Sequence, residues 1–313
     1  MFNIIRYNSS RKEQWDAFVK ESRNGTFLFM RDYMDYHAHR FTDYSLMIYE
    51  NEELCALFPA NINAELQILY SHQGLTYGGL LLNDTTGAEK VLNIFDAIIK
   101  FFKEESCAKK IIYKPIPHIY HRYPCEEDLY ALFRNDAKLT ERKISTTIKL
   151  SNALPFKGRR KLTSAAKSRL NIVKDNNFEA FWEILTNRLI SKHQATPVHS
   201  LQEIELLHSL FPENIKLFRI TDNTGNTLGG YVVYQMKNVA HLQYTATTDE
   251  GRRIGVLDYL FEQIIKEHLN GFEYFDFGIS TEQGGRFLNT GLIAQKEGFG
   301  GRGTIYDTYE LEL

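Results

Sequence analysis

Apolar positions along this chain alternate with two periods, and the order in which the periods follow one another occurs twice. In the first half, a period of two marks strands at 3–6, 44–49, 54–62 and 66–72, with helical spacing over 12–21 and 31–39. Over 88–103, Val91, Leu92, Phe95, Ile98, Ile99 and Phe102 recur at intervals of three and four, which predicts an amphipathic helix. A strand at 110–113, a helix near 126–133 and a strand at 140–150 follow. The second half reads helices at 162–173, 178–191 and 201–210, then strands at 215–221, 227–235 and 239–245, the first two joined by the turn Asn223-Thr224-Gly225. A helix at 253–268 with Leu257, Leu260, Phe261, Ile264 and Ile265 on one side comes next, then a strand at 273–277, a helix within 286–296 and a strand at 304–311. Three antiparallel strands feeding a helix that returns to a parallel strand predict α/β (α+β) architecture: two tandem domains, 1–150 and 151–313, each a mixed, mostly antiparallel sheet flanked by helices.

The 313-residue length suits two domains, and 43% hydrophobic with 24% charged residues is ordinary for a folded chain. No apolar run reaches membrane-spanning length and the N-terminus lacks the blocks of a signal peptide, so the sequence predicts a cytoplasmic protein without a membrane span. Cys55, Cys107 and Cys125 show neither metal-ligand spacing nor even pairing, which predicts idle or buried thiols and no metal site. A net charge of −2 offers no global case for DNA. Locally, Lys157, Arg159, Arg160, Lys161, Lys167, Arg169 and Lys174 run without an intervening acid; on the predicted helix they form either a solvated face or a docking site for phosphate-bearing ligands, including tRNA. His193 and His199 flank Pro197 without a third ligand, which argues against a metal pair and for a loop between helices that reaches a ligand groove.

The triplet Asp276-Phe277-Gly278 matches the metal-binding signature of protein kinases. The Gly-rich loop, strand lysine and His-Arg-Asp loop that must precede it are missing, so that reading fails. What remains is a strand followed by "ISTEQGGRFLNTGLIAQKEGFGGR", whose glycines permit close approach of the backbone at the edge where ligands gather in open sheets.

In layout the chain resembles the GNAT acyltransferases. Its tandem arrangement, with "FKGRRKLTSAAKSRLNI" before the second half and "FEYFDFGISTEQGGRFLNTGLIAQKEGFGGR" leading to a closing "YDTYEL" strand, is similar to the FemABX aminoacyltransferases and the FemAB-like proteins of bacterial cell-envelope polysaccharide synthesis. The resemblance implies an N-acyltransferase whose donor is acyl-CoA, acetyl-CoA for most GNAT enzymes, or aminoacyl-tRNA for FemABX members. The acceptor it implies is the amine of a sugar, nucleotide-sugar or glycan precursor. It also implies a donor pyrophosphate held where the strand before the central helix and the strand after it part, on a Gln/Arg-x-x-Gly-x-Gly/Ala loop. Gly251, Arg252, Arg253 and Gly255 stand there, and Leu257 departs from the small residue expected. A helix start offers N–H groups and partial positive charge to an anion; the same residues also make a good capping sequence. The first half, with Asp84-Thr85-Thr86-Gly87, lacks the pattern and is expected to have lost a donor site.

Acyl transfer to an amine needs a base, a polarised carbonyl and a protonated leaving group. Asp276, Glu282 and His241 are the candidates for those roles. Asp276 either acts there or caps the following turn, and Glu282 either acts or complements a helix dipole. On the strand 239–245, alternation sets His241, Gln243 and Thr245 on one face as a ligand wall, a core histidine being the alternative. His72 and Tyr77, in a polar glycine-rich corner, are read as contributing to acceptor binding, a turn of structural glycines being the alternative, and Arg159, Arg160, Gln243, Arg286 and Lys296 are read as substrate-binding too. The reading from another class is a non-catalytic binding protein on the same scaffold.

Overall fold

The computed structural model describes residues 2–313, the side chain of His193 excepted, so the predicted role of that histidine lies outside the described residues. Two compact units emerge, one of residues 1–145, 279–289 and 304–313 and the other of 146–278 and 290–303. The sequence reading cuts the chain once, after 150; the chain itself passes between the units at four points, because segments of the last forty residues return to the first.

In the first unit, Phe2–Arg6, Leu46–Glu50, Glu53–Phe58 and Leu81–Leu82 form an antiparallel sheet in that order. Lys110–Tyr113 runs parallel to Ile68–Tyr70 and antiparallel to the end of the closing strand, pairing Tyr113 with Tyr309. Helix Ala88–Glu105 covers this core. Its Val91, Ile94, Phe95, Ile98 and Phe102 are buried with Ile48, Phe58 and Leu132, so the stripe read from the sequence is the packed face.

In the second unit, Leu170–Asp175, Ile215–Asp222, Thr227–Gln235 and Val239–Thr247 follow one another antiparallel, and Tyr274–Ile279 joins parallel to the last. Helices Phe178–His193 and Leu201–Leu210 precede these strands, and Val256–His268 packs Val256, Leu260, Phe261 and Ile264 against Phe218, Ile220, Tyr231 and Phe275. The mixed sheet with flanking helices is the architecture the periodicity predicts.

Two predicted elements differ. The helix over 162–173 is one short turn, Ser164–Lys167 capped by Thr163, followed by strand Leu170–Asp175. Ile172 and Val173 favour extended backbone and pair across to Ile220 and Arg219, while Asp175 accepts from Arg219 Nε at 3.0 Å and from its Nη2. The basic run therefore does not decorate one helix. The helix predicted over 253–268 is two, Asp249–Ile254 and Val256–His268, broken at Gly255, whose φ of +91° terminates the first in the left-handed region. Thr248 begins it earlier than expected, its hydroxyl accepting from Gly251 N–H at 3.0 Å with Asp249 and Glu250 in the first turn.

Candidate functional site

Strands Val239–Thr247 and Tyr274–Ile279 share three rungs, Val239 with Tyr274, Ala240 with Phe275 and His241 with Asp276, and pair no further. Beyond the last rung the strand of His241 stays paired with Thr227–Gln235. There Leu242 and Tyr244 partner the consecutive residues Val233 and Val232, leaving Gln243 as the extra residue of a bulge. The alternation that places His241, Gln243 and Thr245 on one face is thus broken at Gln243.

The last rung carries a histidine–carboxylate pair. Asp276 is fully buried; its Oδ2 accepts from His241 Nδ1 at 2.9 Å, its Oδ1 from Gly278 N–H at 3.1 Å and from Thr147 Oγ1 at 3.4 Å. One oxygen thus caps the turn, as one sequence alternative for Asp276 has it, and the other is bonded to a histidine. A carboxylate on Nδ1 fixes that nitrogen as the donor and leaves Nε2 as the basic one. Gly278, at φ +75°, turns the chain in the left-handed region, and a Cβ there would rest on the His241 ring, 3.6 Å from Cε1.

Lys296, from helix Thr290–Glu297, reaches back into this corner. It is 8% exposed, and Nζ donates to the Gly278 carbonyl at 2.8 Å. Burial pulls its pKa from 10.5 down to about 8, with Asp276 acting the other way. The structure so brings together Asp276, His241 and Lys296. Thr147 is the member of the group that sequence reasoning missed, because a lone threonine in a strand carries no signal of its own.

Glu282 is placed in the first unit, in the small antiparallel pair Thr281–Glu282 and Phe287–Leu288, exposed and accepting from Asn289 Nδ2 at 3.2 Å. Arg286 is exposed in the same hairpin. His72 and Tyr77 do not line an open surface. Tyr77 is 1% exposed, against Phe29 and Tyr120, with its hydroxyl donating to Thr26 at 3.3 Å, and His72 is buried beside His37 and Phe41 with its pKa pushed down by burial. Their glycine-rich surroundings are packing geometry: a Cβ on Gly78 would fall 1.6 Å from the Ser71 carbonyl oxygen. His199, expected in an acceptor loop, is buried with Nδ1 bonded to Tyr244 Oη at 2.5 Å.

The residues proposed from the sequence as a pyrophosphate loop are arranged differently from the expectation. Arg252 N–H bonds Thr248 O at 3.0 Å and Gly255 N–H bonds Gly251 O at 2.8 Å, so these amides are used within the helical turn. Gly251 is buried against Leu228 and Thr247. Over Gly255 lies the stem of Arg160, whose guanidinium donates to the carbonyls of Arg252, at 3.3 Å, and Arg253, as a cation does at a helix C-terminus. Arg160 N–H donates to Asp258 Oδ2 at 2.7 Å, and Arg159 pairs with the same carboxylate at 3.7 Å while covering Phe299. Arg159 and Arg160 thus fasten the segment 157–160 to the start of helix Val256–His268.

The helix-flanked mixed sheet, in which two parallel strands part after three rungs beside a bulge, is a fold shared with FemX and with a tandem GNAT protein. Residues 157–284 match the family model described as an acetyltransferase (GNAT) domain. FemX is similar in structure over 99% of this chain and 97% of its own, at 12% identity and a TM-score of 0.67. A tandem GNAT protein from the clavulanic acid biosynthesis pathway is similar over 100% and 98% at 10% identity and TM-score 0.54, and L-PGS from Bacillus licheniformis over 96% and 91% at 10% identity and TM-score 0.58. No curated protein matches the sequence. Among the described residues, no helix is long and apolar enough to cross a membrane and no cluster of three metal-ligating side chains occurs.

Proposed function

We propose that the protein is an N-acyltransferase in which the parting of strands Val239–Thr247 and Tyr274–Ile279 seats the acyl donor and His241 serves as general base. The observation that carries this is the His241–Asp276 pair on the last shared rung, at the mouth of the gap. His241 Nε2 takes the proton from the acceptor nitrogen as the C–N bond forms. Asp276 holds the ring and stabilises the imidazolium, and the thiol or ribose oxygen leaves with a proton as the C–S or C–O bond breaks. The Lys296 ammonium offers charge to the developing oxyanion. The donor is acetyl-CoA or another acyl-CoA, or aminoacyl-tRNA; the acceptor is an amine on a sugar, nucleotide-sugar or cell-envelope precursor, a class supported by the FemX-like fold. Glu282, exposed and bound to Asn289, is given no role.

The test is mass-spectrometric detection of acylated product with a panel of acyl-CoAs and aminoacyl-tRNAs against amino sugars and nucleotide sugars. His241→Ala should lower the rate by about 10²–10⁴-fold, the usual range for a general base, with an unchanged circular dichroism spectrum. Full activity in His241→Ala would remove the base assignment, and no transfer by wild type from any donor would leave the scaffold as a binding module.

A further inference from the structure

In the first unit, the hairpin that pairs Thr281 with Leu288 and Glu282 with Phe287 leaves two adjacent large apolar residues in solvent, Phe287 at 51% and Leu288 at 42% exposure. Consecutive strand residues point to opposite faces, so neither face of the hairpin is fully covered by its own unit. The hairpin is nevertheless held in place. Ser280 N–H donates to the Ile144 carbonyl at 2.8 Å and Asn289 N–H to the Ser280 carbonyl at 2.9 Å. At the turn, Gly285 has φ +95° and lies so near strand Lys138–Lys149 that a Cβ would fall 1.9 Å from the Arg142 carbonyl oxygen. Between turn and strand a cavity of about 380 Å³ remains, lined by residues 139–142 of the strand and by Gly284, Gly285 and Arg286. Leu139, at its edge, is a third exposed apolar residue, at 43%.

The charges around this surface divide into paired and unpaired ones. Arg142 donates to Asp307 from Nε and Nη2, each at 2.8 Å, and Glu141 pairs with Lys143 at 2.6 Å. Glu282 is the acid of the hairpin itself, and it accepts from Asn289 Nδ2 at 3.2 Å. Two exposed cations are left over. Among the described residues, neither Arg286 nor Lys138, which adjoins Leu139, makes a side-chain hydrogen bond or ion pair. Exposed apolar side chains flanked by cations without partners are the composition of an element that lies in a membrane interface, its apolar atoms below the headgroups and its charges among them. A protein partner is the poorer fit, because a stable interface takes about 800 Å² from each side and three part-exposed side chains supply only a fraction of that.

We propose that this hairpin docks the protein on an anionic phospholipid surface, with Phe287 and Leu288 entering the interfacial layer and Arg286 taking a headgroup phosphate. The guanidinium suits the task because it offers paired donors to phosphate oxygens, and the cavity beside it leaves room for the headgroup. The docking goes beyond the acyltransferase reading and stands without it.

The experiment is co-flotation of the full chain with vesicles of phosphatidylcholine alone and of equal parts phosphatidylcholine and phosphatidylglycerol, at low and high salt. Wild type should float with the anionic vesicles, much less with the neutral ones, and lose binding as salt screens the charges. Phe287→Ser/Leu288→Ser should lower the partition by about tenfold or more, the scale of two large apolar side chains leaving the interface. Arg286→Gln should lower it by about fivefold, Arg286→Lys should retain most of it, and Glu282→Gln should raise it. Phe133→Ser, at a residue 77% exposed on helix Glu127–Arg134 of the same unit, should change nothing. No flotation of wild type with anionic vesicles, equal flotation of a folded Phe287→Ser/Leu288→Ser variant, or an equal loss in Phe133→Ser overturns the proposal. Self-association in analytical ultracentrifugation without lipid, abolished by the double variant, would make the hairpin a contact between copies of the chain and overturn it too.

Discussion

Replacing Lys296 by Met should make the protein more stable at pH 7 and less active. The ammonium is 8% exposed and bonded to the Gly278 carbonyl, and its pKa falls from 10.5 to about 8 through burial. Each unit is worth about 1.4 kcal/mol, so at pH 7 the charge costs the folded state about 3 kcal/mol relative to a neutral group of the same shape. The sign follows from where the proton binds more tightly. Between about pH 8 and 10.5 the unfolded chain carries it and the folded chain sheds it, so stability rises with pH across that window and the full penalty applies below it. Methionine fills a similar volume but leaves the Gly278 carbonyl without its donor, a loss of about 1 kcal/mol. The net gain expected at pH 7 is about 2 kcal/mol, shrinking toward zero by pH 10.

Urea unfolding at pH values from 6 to 10 measures it, followed through Trp182, which lies in the same unit as Lys296, in a Trp15→Phe background. With a slope of about 2 kcal/mol/M the midpoint should move up by about 1 M at pH 7. A Lys296→Met variant less stable than wild type at pH 7, or a difference that does not narrow toward pH 10, would refute the reasoning. A gain in stability together with loss of acyl transfer is the pattern of a charge buried for function.

Two further outcomes follow from packing and titration. Gly251→Ala places a methyl 2.3 Å from the Leu228 carbonyl oxygen and 2.5 Å from Thr247 Oγ1, so thermal melting should show a loss of about 1–3 kcal/mol; an unchanged Tm would mean that the helical turn Asp249–Ile254 shifts freely. In the first unit, burial raises the Asp128 carboxyl from 3.8 to about 6 although Tyr113 Oη donates to it at 2.6 Å. Wild type should therefore lose about 2–3 kcal/mol relative to Asp128→Asn as pH rises from 4 to 8, and a flat difference across that range in paired denaturation curves would contradict the burial argument.

How far the sequence discloses this fold depends on whether one period or two compete within a segment. Over 88–105 the apolar residues fit a helix and nothing else, and the helix packs as read. Over 162–175 the run Leu-Thr-Ser-Ala-Ala favours a helix while Asn-Ile-Val alternates, and the cross-strand partners at 217–222 decide for the strand. At 248–255 the sequence does hold the local signal, Thr248 before two acids, but the Arg-x-x-Gly pattern beginning at Arg252 draws the helix start too late.

Candidate site residues were legible by type and not by neighbourhood. Asp276 and His241 are 35 residues apart and meet because two strands run parallel for three rungs and then separate, a register that no local pattern specifies. His72 and Tyr77 have the residue types and glycines of a binding corner, yet both are buried in the first unit, because the same glycines allow backbone to pack on backbone. The difference between the two corners is where their polar atoms point. At the rung of His241 a buried carboxylate is bonded to His241 on the neighbouring strand, to Gly278 N–H and to Thr147, and a buried ammonium is held next to it at a cost in stability. A core with no chemistry to perform would replace that ammonium with a methyl group, which makes the Lys296→Met comparison of stability against turnover the sharpest division between an enzyme and a binding module on this fold.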